Sequence, residues 1–332
     1  MKFRNVIYQT KKGSATEFEF EFIDKVLFSQ IPHKNFFDNN KLLLKLENPI
    51  IVYSTDSFFI EERFKKYIRN FEKPVLLHLS NESQWHASAY YKQAQVVIRT
   101  ASWNIFTNNN VYTFPLGFQS GYLNTNLQFT EKKRKFNWCF CGQIKSDRKE
   151  MLKTFGDILP NFSFQNEGWL STDSLSTPQL IEIYKESIFA LCPLGNINFE
   201  CFRTMEVLEY GCIPVTTEFL NRDCYKYIYG DHPFIVAKSW KEAKLEVINL
   251  INDNEALKKK QKEVSDWYFN FRIELAKDLN YIINNNIKAV TGKQFIYQKE
   301  VRSDILFKFK FIHHFFIKRV IHKFKKYITS KY

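Results

Sequence analysis

The chain has 332 residues, of which 45% are hydrophobic and 25% charged, and these proportions exclude collagen-like, coiled-coil and disordered classes. At roughly 150 residues per domain, this length predicts two domains. The 48 Lys and Arg residues outnumber the 35 Asp and Glu residues, and the net charge of +13 indicates an anionic partner. Phosphorylated substrates, anionic lipid and nucleic acid all fit this charge.

Short apolar runs alternate with helical stretches in the first part of the chain. Five runs predict buried strands: Val6–Tyr8, Ile50–Tyr53, Val75–Leu79, Val96–Ile98 and Val111–Phe114. Phe58–Phe71 predicts an amphipathic helix, because its Glu and Lys residues fall on one side. Strands that alternate with helices are typical of a parallel α/β sheet.

A charged run at 131–135 precedes a second pattern of the same kind. It contains four predicted strands, Phe136–Cys141, Ile188–Cys192, Ile213–Thr216 and Phe234–Val236, and predicted helices that include Arg148–Phe155 and Met205–Tyr210. We therefore predict one α/β domain over 1–130 and a second over 131–300, with a ligand cleft between them.

The tail, residues 301–332, predicts a separate basic amphipathic helix. Apolar residues recur in it at a spacing of three to four: Ile305, Phe309, Ile312, Phe316, Val320 and Phe324. From Arg302 to Tyr332 there are nine Lys and Arg residues and one acid, Asp304, so this stretch carries +8 (9 − 1) of the +13. Such a helix is expected to lie on an anionic membrane surface. The alternative is a helix that packs on the body with its basic face in solvent.

Charge that is concentrated in the tail argues against nucleic-acid binding by the body. The N-terminal region has no secretory signal, and no uncharged stretch reaches the roughly 18–20 residues of a membrane span. All six Cys lie between Cys139 and Cys224. We expect a cytoplasmic protein with free thiols, bound peripherally to the inner face of the cell membrane.

The segment from 188 to 215 has the densest pattern of candidate ligand-binding residues. A predicted strand ends in a Pro- and Gly-containing loop, and a helix and a further strand follow. Ligands bind at such loops in open α/β sheets, and helix N-termini offer N–H groups to phosphate. Arg203 could bind a diphosphate through its planar guanidinium. Glu206 could accept hydrogen bonds from a ribose diol. The alternative is a surface ion pair between these two residues.

The pattern C-P-x-G…E-C-F-R-x-x-E-x-L-x-x-G-C-I-P-V in this segment resembles the signature of exostosin-type glycosyltransferases. Four upstream stretches are similar, in the same order, to the ribitol xylosyltransferase branch of that family: His78–Glu82, Val97–Arg99, Phe114–Gly117 and Trp138–Gly142 with Arg148. The resemblance covers about residues 75–220. The sequence departs from the family at Leu194, where a basic residue is usual, and at Ile197, near a usual Gly.

This resemblance implies an α/β fold of the GT-B-like type, with two Rossmann-like domains facing a cleft. It also implies a nucleotide-sugar donor, usually a UDP-sugar, and inversion at the anomeric carbon. The acceptor would be a cell-surface polysaccharide such as capsule or lipopolysaccharide, a polyol-phosphate or a lipid-linked glycan. The alternative is a non-catalytic basic protein that binds lipid or nucleic acid on an α/β scaffold.

Four further residues are predicted to contact the donor. Gly142 would let the donor approach the backbone closely. Lys145 and Arg148 open a helix whose dipole disfavours cations, so an anionic ligand would explain them, unless they are simply solvated. Asn198, in the loop before Arg203, completes this set.

An inverting transferase needs a base that takes the proton of the acceptor hydroxyl. Glu82 is favoured, because it matches an acidic position of the resembling stretch, and Asp56 is the second candidate. His78 and Arg99 are expected to bind the acceptor or its phosphate. The sequence has no D-x-D, so we predict no obligatory metal and no cofactor. The P-loop and G-x-G-x-x-G patterns are absent too, which disfavours NTPases and dehydrogenases.

Overall fold

The computed structural model describes most of the chain. The described residues are 3–9, 15–37, 46–47, 49–54, 68–79, 88–100, 110–127, 129, 131–145, 147–168, 172–195, 198–284 and, in the tail, 306, 309, 310, 312–314, 316, 317 and 320. All structural statements below concern these residues.

Six parallel strands form the first sheet. They are β1 (Arg4–Tyr8), β2 (His33–Phe37), β3 (Ile50–Ser54), β4 (Val75–Leu79), β5 (Val96–Arg99) and β6 (Val111–Thr113), in the order β2-β1-β3-β4-β5-β6. Helix α1 (Ala15–Phe18), a π-helical segment (Phe22–Leu27) and a 3-10 helix (Ser88–Gln93) connect them. Every residue of β3 and β4 is buried, as expected for a parallel sheet that is covered on both faces.

Five parallel strands form the second sheet. They are β7 (Phe136–Gly142), β8 (Asn161–Gln165), β9 (Ser187–Leu191), β10 (Ile213–Thr217) and β11 (Ile235–Ala237), in the order β11-β10-β9-β7-β8. The helices of this part are α2 (Arg148–Phe155), α3 (Thr177–Lys185), α4 (Arg203–Leu208), α5 (Lys226–Tyr229), α6 (Trp240–Asn252) and α7 (Asn254–Asn284).

In both sheets the first strand lies between the second and the third. The direction of winding therefore reverses at one point, between β1 and β3 in the first sheet and between β7 and β9 in the second. Open α/β sheets bind ligands outside the carboxyl ends of the strands at such a reversal. The second sheet accordingly has its expected binding position where β7 and β9 end.

Two stretches of chain link the sheets. The first is the connecting segment, residues 114–135, between β6 and β7. The second is α7, which leaves the second sheet and packs against the π-helical segment of the first part. The Arg4 guanidinium donates to the Ile283 carbonyl oxygen and to Asn284 Oδ1, at 3.0 Å each, and so fastens the end of α7 to β1.

The α/β fold with two parallel sheets is as predicted, and every strand predicted from an apolar run is present to within about two residues. The prediction missed β2 and β8, which are the edge strands beside β1 and β7. Of the predicted helix Phe58–Phe71, residues 58–67 lie outside the described part of the chain, and 68–70 are helical. All six cysteines are free thiols.

The described tail residues are helical, and six apolar ones among them are exposed. Elsewhere in the described residues, no helix is both long enough and apolar enough to cross a membrane.

Candidate donor and acceptor sites

Arg203 lies at the carboxyl end of β7, next to the reversal point of the second sheet. It is the first residue of α4, and its guanidinium lies over the Phe140 ring at 4.7 Å while Nη2 donates to the Cys141 carbonyl oxygen. Its Nε is buried and has no hydrogen-bond partner among the described residues. The planar group is therefore held in place with donor capacity unused.

Gly142, the last residue of β7, explains how Arg203 reaches this position. A Cβ atom at Gly142 would lie 2.6 Å from Arg203 Nη2, and the backbone φ there is +152°. Both facts favour glycine. The sequence predicted that this position admits the donor, whereas the structure places the Arg203 side chain in the space that a Cβ would need.

Two more cations lie beside Arg203. Arg148 Nη1 donates to the Gln143 carbonyl oxygen at 2.9 Å, and Nη2 points to that of Leu194 at 3.4 Å. Arg148 thus brings a positive charge to the loop position where Leu194 replaces the basic residue usual in the family. We call Lys145, Arg148 and Arg203 the cation cluster.

The cation cluster is electrostatically strained. Burial, and then the charge of Arg203, lower the pKa of Arg148. Burial, and then the charge of Arg148, lower the pKa of Lys145. Asp147 attracts Arg148, but its Oδ2 already accepts a 2.8 Å hydrogen bond from Trp240 Nε1. A bound anion would relieve the repulsion among the three cations.

The amides at the start of α4 bond within their own turn. The Thr204 amide donates to the Cys201 carbonyl oxygen at 3.1 Å, and the amides of Met205 and Glu206 donate to that of Phe202 at 3.0 and 3.1 Å. These N–H groups are thus engaged, contrary to the expectation that they face a phosphate. The positive charge of the site comes from side chains instead.

Asn198 and Glu206, the remaining predicted donor contacts, are both buried. Asn198 Oδ1 accepts the Phe199 amide at 2.9 Å, which shapes the loop before α4. Burial raises the pKa of Glu206 to about 7, although Arg203 and the Gln119 amide both lower it. Glu206 therefore interacts electrostatically with both Arg203 and the connecting segment.

Three glutamates of the motif segment face backbone amides of the connecting segment. Glu200 accepts the amide of Leu116 at 2.8 Å, and Glu209 accepts that of Asn124 at 2.8 Å. The Gln119 amide lowers the pKa of Glu206. All three carboxylates are buried. Glu200 and Glu209 thus fasten the connecting segment to the part of the chain that contains α4.

Glu209 additionally binds α7. Its carboxylate accepts from Tyr268 Oη at 2.5 Å and from Arg272 Nη1 at 3.1 Å. Sequence analysis assigned no role to Glu200 or Glu209. Their signal was an acidic side chain among the apolar residues on either side of Arg203.

His78 and Arg99, the predicted acceptor residues, lie side by side on the first sheet. The register pairs Tyr53 of β3 with His78 of β4, and His78 with Arg99 of β5, so the three side chains share one face. The His78 ring stacks on Tyr53 at 4.5 Å, and its Nδ1 bonds to the hydroxyl of Tyr91. The Arg99 guanidinium lies 5.7 Å from the centre of the Tyr91 ring.

The structure thus brings His78 and Arg99 together, and the tyrosines that position them were not predicted. Asp56 and Glu82, the candidate bases, lie outside the described residues. They follow the carboxyl ends of β3 and β4 in the sequence. The described residues contain no group of three His, Cys, Asp or Glu side chains that could hold a metal ion.

Curated relatives share part of this chain. Ribitol-5-phosphate xylosyltransferase 1 of Danio rerio is 24% identical over 208 residues, which cover 55% of this chain and 47% of the relative. The Homo sapiens protein of the same name is 30% identical over 115 residues, 30% of this chain and 26% of the relative. The alignments thus span about half, or less, of the length of these relatives.

Two solved structures share the fold. A DNA-modifying β-glucosyltransferase superimposes with a TM-score of 0.52 at 12% identity, covering 90% of this chain and 99% of that one. An α1,3-fucosyltransferase superimposes with a TM-score of 0.51 at 11% identity, covering 86% and 91%. The predicted GT-B-like fold is therefore confirmed.

A family model spans the segment that carries the cation cluster and the three glutamates. The model described as "RXYLT1 C-terminal domain" matches residues 119–288, more than half of the chain. The match includes the second sheet, most of the connecting segment and all of α7. The chain therefore belongs to the RXYLT1 C-terminal domain family.

Proposed function

We propose that this chain is an inverting glycosyltransferase that takes its sugar from a nucleotide-sugar, a UDP-sugar above all. The observation that carries the proposal is the cation cluster, where Lys145, Arg148 and Arg203 converge at the reversal point of the second sheet. Three cations held together in a partly buried place suit a diphosphate. Family membership and the exostosin-type resemblance support the same chemistry.

The cation cluster would act on the leaving group. As the bond between the anomeric carbon and the phosphate oxygen breaks, negative charge develops on the nucleoside diphosphate. Positive groups already fixed in place stabilise that charge without reorganisation. Arg203 is fixed in this way by Phe140 and the Cys141 carbonyl oxygen. With this charge supplied by side chains and no D-x-D in the sequence, we propose that no metal is obligatory.

The new glycosidic bond forms from an acceptor hydroxyl on the opposite face of the sugar, and its proton passes to a base. Glu82 remains the first candidate and Asp56 the second, because they follow β4 and β3. A base here would stand on the first sheet, across from the donor. Glu82→Gln and Asp56→Asn in a transfer assay distinguish the two, since the correct variant loses transfer and keeps UDP binding.

For the acceptor, we propose a polyol-phosphate, alone or within a cell-surface polymer or lipid-linked glycan. The relatives are named after such a compound, as ribitol-5-phosphate xylosyltransferases. Arg99 and His78 supply a cation and a hydrogen-bonding ring on one face of the first sheet, and Tyr53 and Tyr91 hold them. An arginine fits a phosphate because its planar donors match the phosphate oxygens.

The test compares variants of the cation cluster with a variant of Lys149, a lysine close to the cluster in the sequence. Lys145→Ala and Arg148→Met should each weaken UDP binding by about tenfold or more, equivalent to about 1.4 kcal/mol. Lys149→Ala is the matched control, because Lys149 is exposed beside Arg148 and no contact ties it to the cation cluster. Calorimetric titration with UDP, and UDP release in the presence of acceptor, give the two measurements.

Equal effects of Lys145→Ala and Lys149→Ala would overturn the donor site, because the loss would then reflect net charge alone. A wild-type protein that binds an oligonucleotide and not UDP would favour the non-catalytic alternative.

A further inference from the structure

The tail exposes an apolar stripe. Six described residues form it, each 39–69% exposed: Leu306, Phe309, Ile312, Phe316, Ile317 and Val320. At about 100° per residue, they fall within less than half of the helix circumference. Exposed apolar side chains that share one helix face indicate a surface that another apolar surface covers.

The body does not cover this stripe. The described contact between tail and body is made by His314, whose ring packs edge-on against Phe219 at 5.0 Å. On a helical projection His314 lies outside the arc of the stripe. The tail therefore touches the second sheet with a different face, which disfavours the alternative in which the apolar face packs on the body.

The charge of the tail indicates what kind of surface covers the stripe. Nine Lys and Arg residues and one acid lie between Arg302 and Tyr332, and the described Lys310 is exposed beside the stripe. An apolar stripe in a segment of such composition matches the boundary between headgroups and acyl chains of an anionic bilayer. We propose that the exposed stripe of the tail binds anionic membrane surfaces.

The contact between the tail and the body lies close to the cation cluster. Phe219 follows the carboxyl end of β10 and packs against Phe199, in the loop before α4, at 6.0 Å. The tail thus lies at the edge of the second sheet that carries the cation cluster. If the proposed function holds, a membrane-bound acceptor would be presented at this edge. Lipid binding itself does not depend on that function.

The experiment is sedimentation of the full chain with vesicles. We expect binding to phosphatidylcholine vesicles that contain phosphatidylglycerol, and at least about tenfold weaker binding to phosphatidylcholine alone. Raising the salt concentration should weaken the binding without abolishing it, because ions screen the charges but leave the apolar contact. Equal binding to both vesicles, or none to either, would overturn the proposal.

Variants separate the stripe from general surface hydrophobicity. Phe309→Ser with Phe316→Ser should weaken binding to the anionic vesicles about tenfold or more. Leu245→Ser with Phe269→Ser is the matched control, because these side chains are 62% and 46% exposed outside the tail, and the net charge stays the same. This control should bind like the wild type. Circular dichroism and the thermal unfolding midpoint, both measured without ligand, verify that each variant is folded.

Two outcomes would assign the stripe to another occupant. Self-association in analytical ultracentrifugation that only the tail variant loses, without vesicle binding, would indicate a second copy of this chain. Oligonucleotide binding that the tail variant loses, again without vesicle binding, would indicate nucleic acid. Either result overturns the membrane proposal.

Discussion

Arg203 reaches the carboxyl end of β7 because position 142 has no side chain. Its guanidinium fills the space that a Cβ would need, lies over Phe140 and donates to the Cys141 carbonyl oxygen. Cation–π contact and hydrogen bonding fix its orientation. The proposed donor site therefore depends on a glycine that need not touch the donor.

Gly142→Ala should lower the free energy of unfolding by about 1–3 kcal/mol, since the new methyl group meets Arg203 and the backbone is strained at φ +152°. UDP binding should weaken as well, because Arg203 must move. Gly156→Ala is the control: its φ is −60° and the added Cβ lies 3.2 Å from the Leu152 carbonyl oxygen. Urea unfolding and UDP titration measure both effects, and similar losses in the two variants would contradict the prediction.

Sequence reasoning selected Arg203 because it starts a helix after a Pro- and Gly-containing loop, and Arg148 because a cation that opens a helix is disfavoured by the dipole unless an anion binds there. It could not find the partners that hold the predicted residues, such as Tyr91 beside His78 and Arg99. That contact joins a 3-10 helix to two strands, and only the folded chain brings them together. It also assigned Gly142 to the ligand, because the side chain that fills the space comes from about 60 residues later.

At the scale of elements, the connecting segment, α4 and α7 meet at Glu209. The carboxylate accepts from the Asn124 amide, Tyr268 Oη and Arg272 Nη1. Burial raises its pKa to about 7, although these partners lower it. The carboxyl group therefore keeps its proton in the folded protein at pH values where the unfolded chain has lost it.

This difference predicts how stability depends on pH. The contribution of Glu209 is fully present below its unfolded pKa near 4.5, and it is lost as pH rises to about 7. At 1.36 kcal/mol per pKa unit, the loss is roughly 3 kcal/mol. Glu209→Gln should therefore reduce the slope of the unfolding free energy between these pH values without abolishing it, because burial also raises the pKa of Glu206 to about 7. Urea unfolding at a series of pH values measures it.

Glu182→Gln is the matched variant, because the Glu182 side chain is 68% exposed. Its profile should follow that of the wild type. A Glu209→Gln profile with the wild-type slope would contradict the prediction.

The elements that sequence analysis missed share a physical cause. β2 and β8 are edge strands, and polar residues keep both from forming an apolar run: β2 begins with three polar residues, and β8 alternates between polar and apolar ones. The central strands were found because both of their faces are buried. An edge strand is specified by its neighbour as much as by its own residues, so its local signal is weak.

At the scale of the whole molecule, the two sheets share α7. The helix packs against the π-helical segment, and its buried residues run from Leu257 to Ile283. Unfolding either sheet alone would expose part of this apolar face to water. The two halves of the molecule should therefore unfold together.

We expect a single calorimetric transition whose van't Hoff and calorimetric enthalpies agree. The double variant Tyr268→Phe with Arg272→Ala removes two contacts between α7 and Glu209. Its unfolding should be less cooperative, so that the van't Hoff enthalpy falls below the calorimetric enthalpy. Lys262→Ala, in an exposed part of the same helix, should leave it unchanged. Two separate transitions in the wild-type protein would contradict shared unfolding.

Both stretches of chain that cross between the sheets come within hydrogen-bonding distance of Glu209. Any rotation of one sheet against the other must therefore have its axis close to this carboxylate. Atoms near the axis move little, and Glu209 directly follows the short helix α4 that begins at Arg203. Such a rotation would carry the groups of the first sheet past the cation cluster and leave the spacing of its three charges unchanged. Under the proposed function, the product could then leave without dismantling the proposed phosphate site.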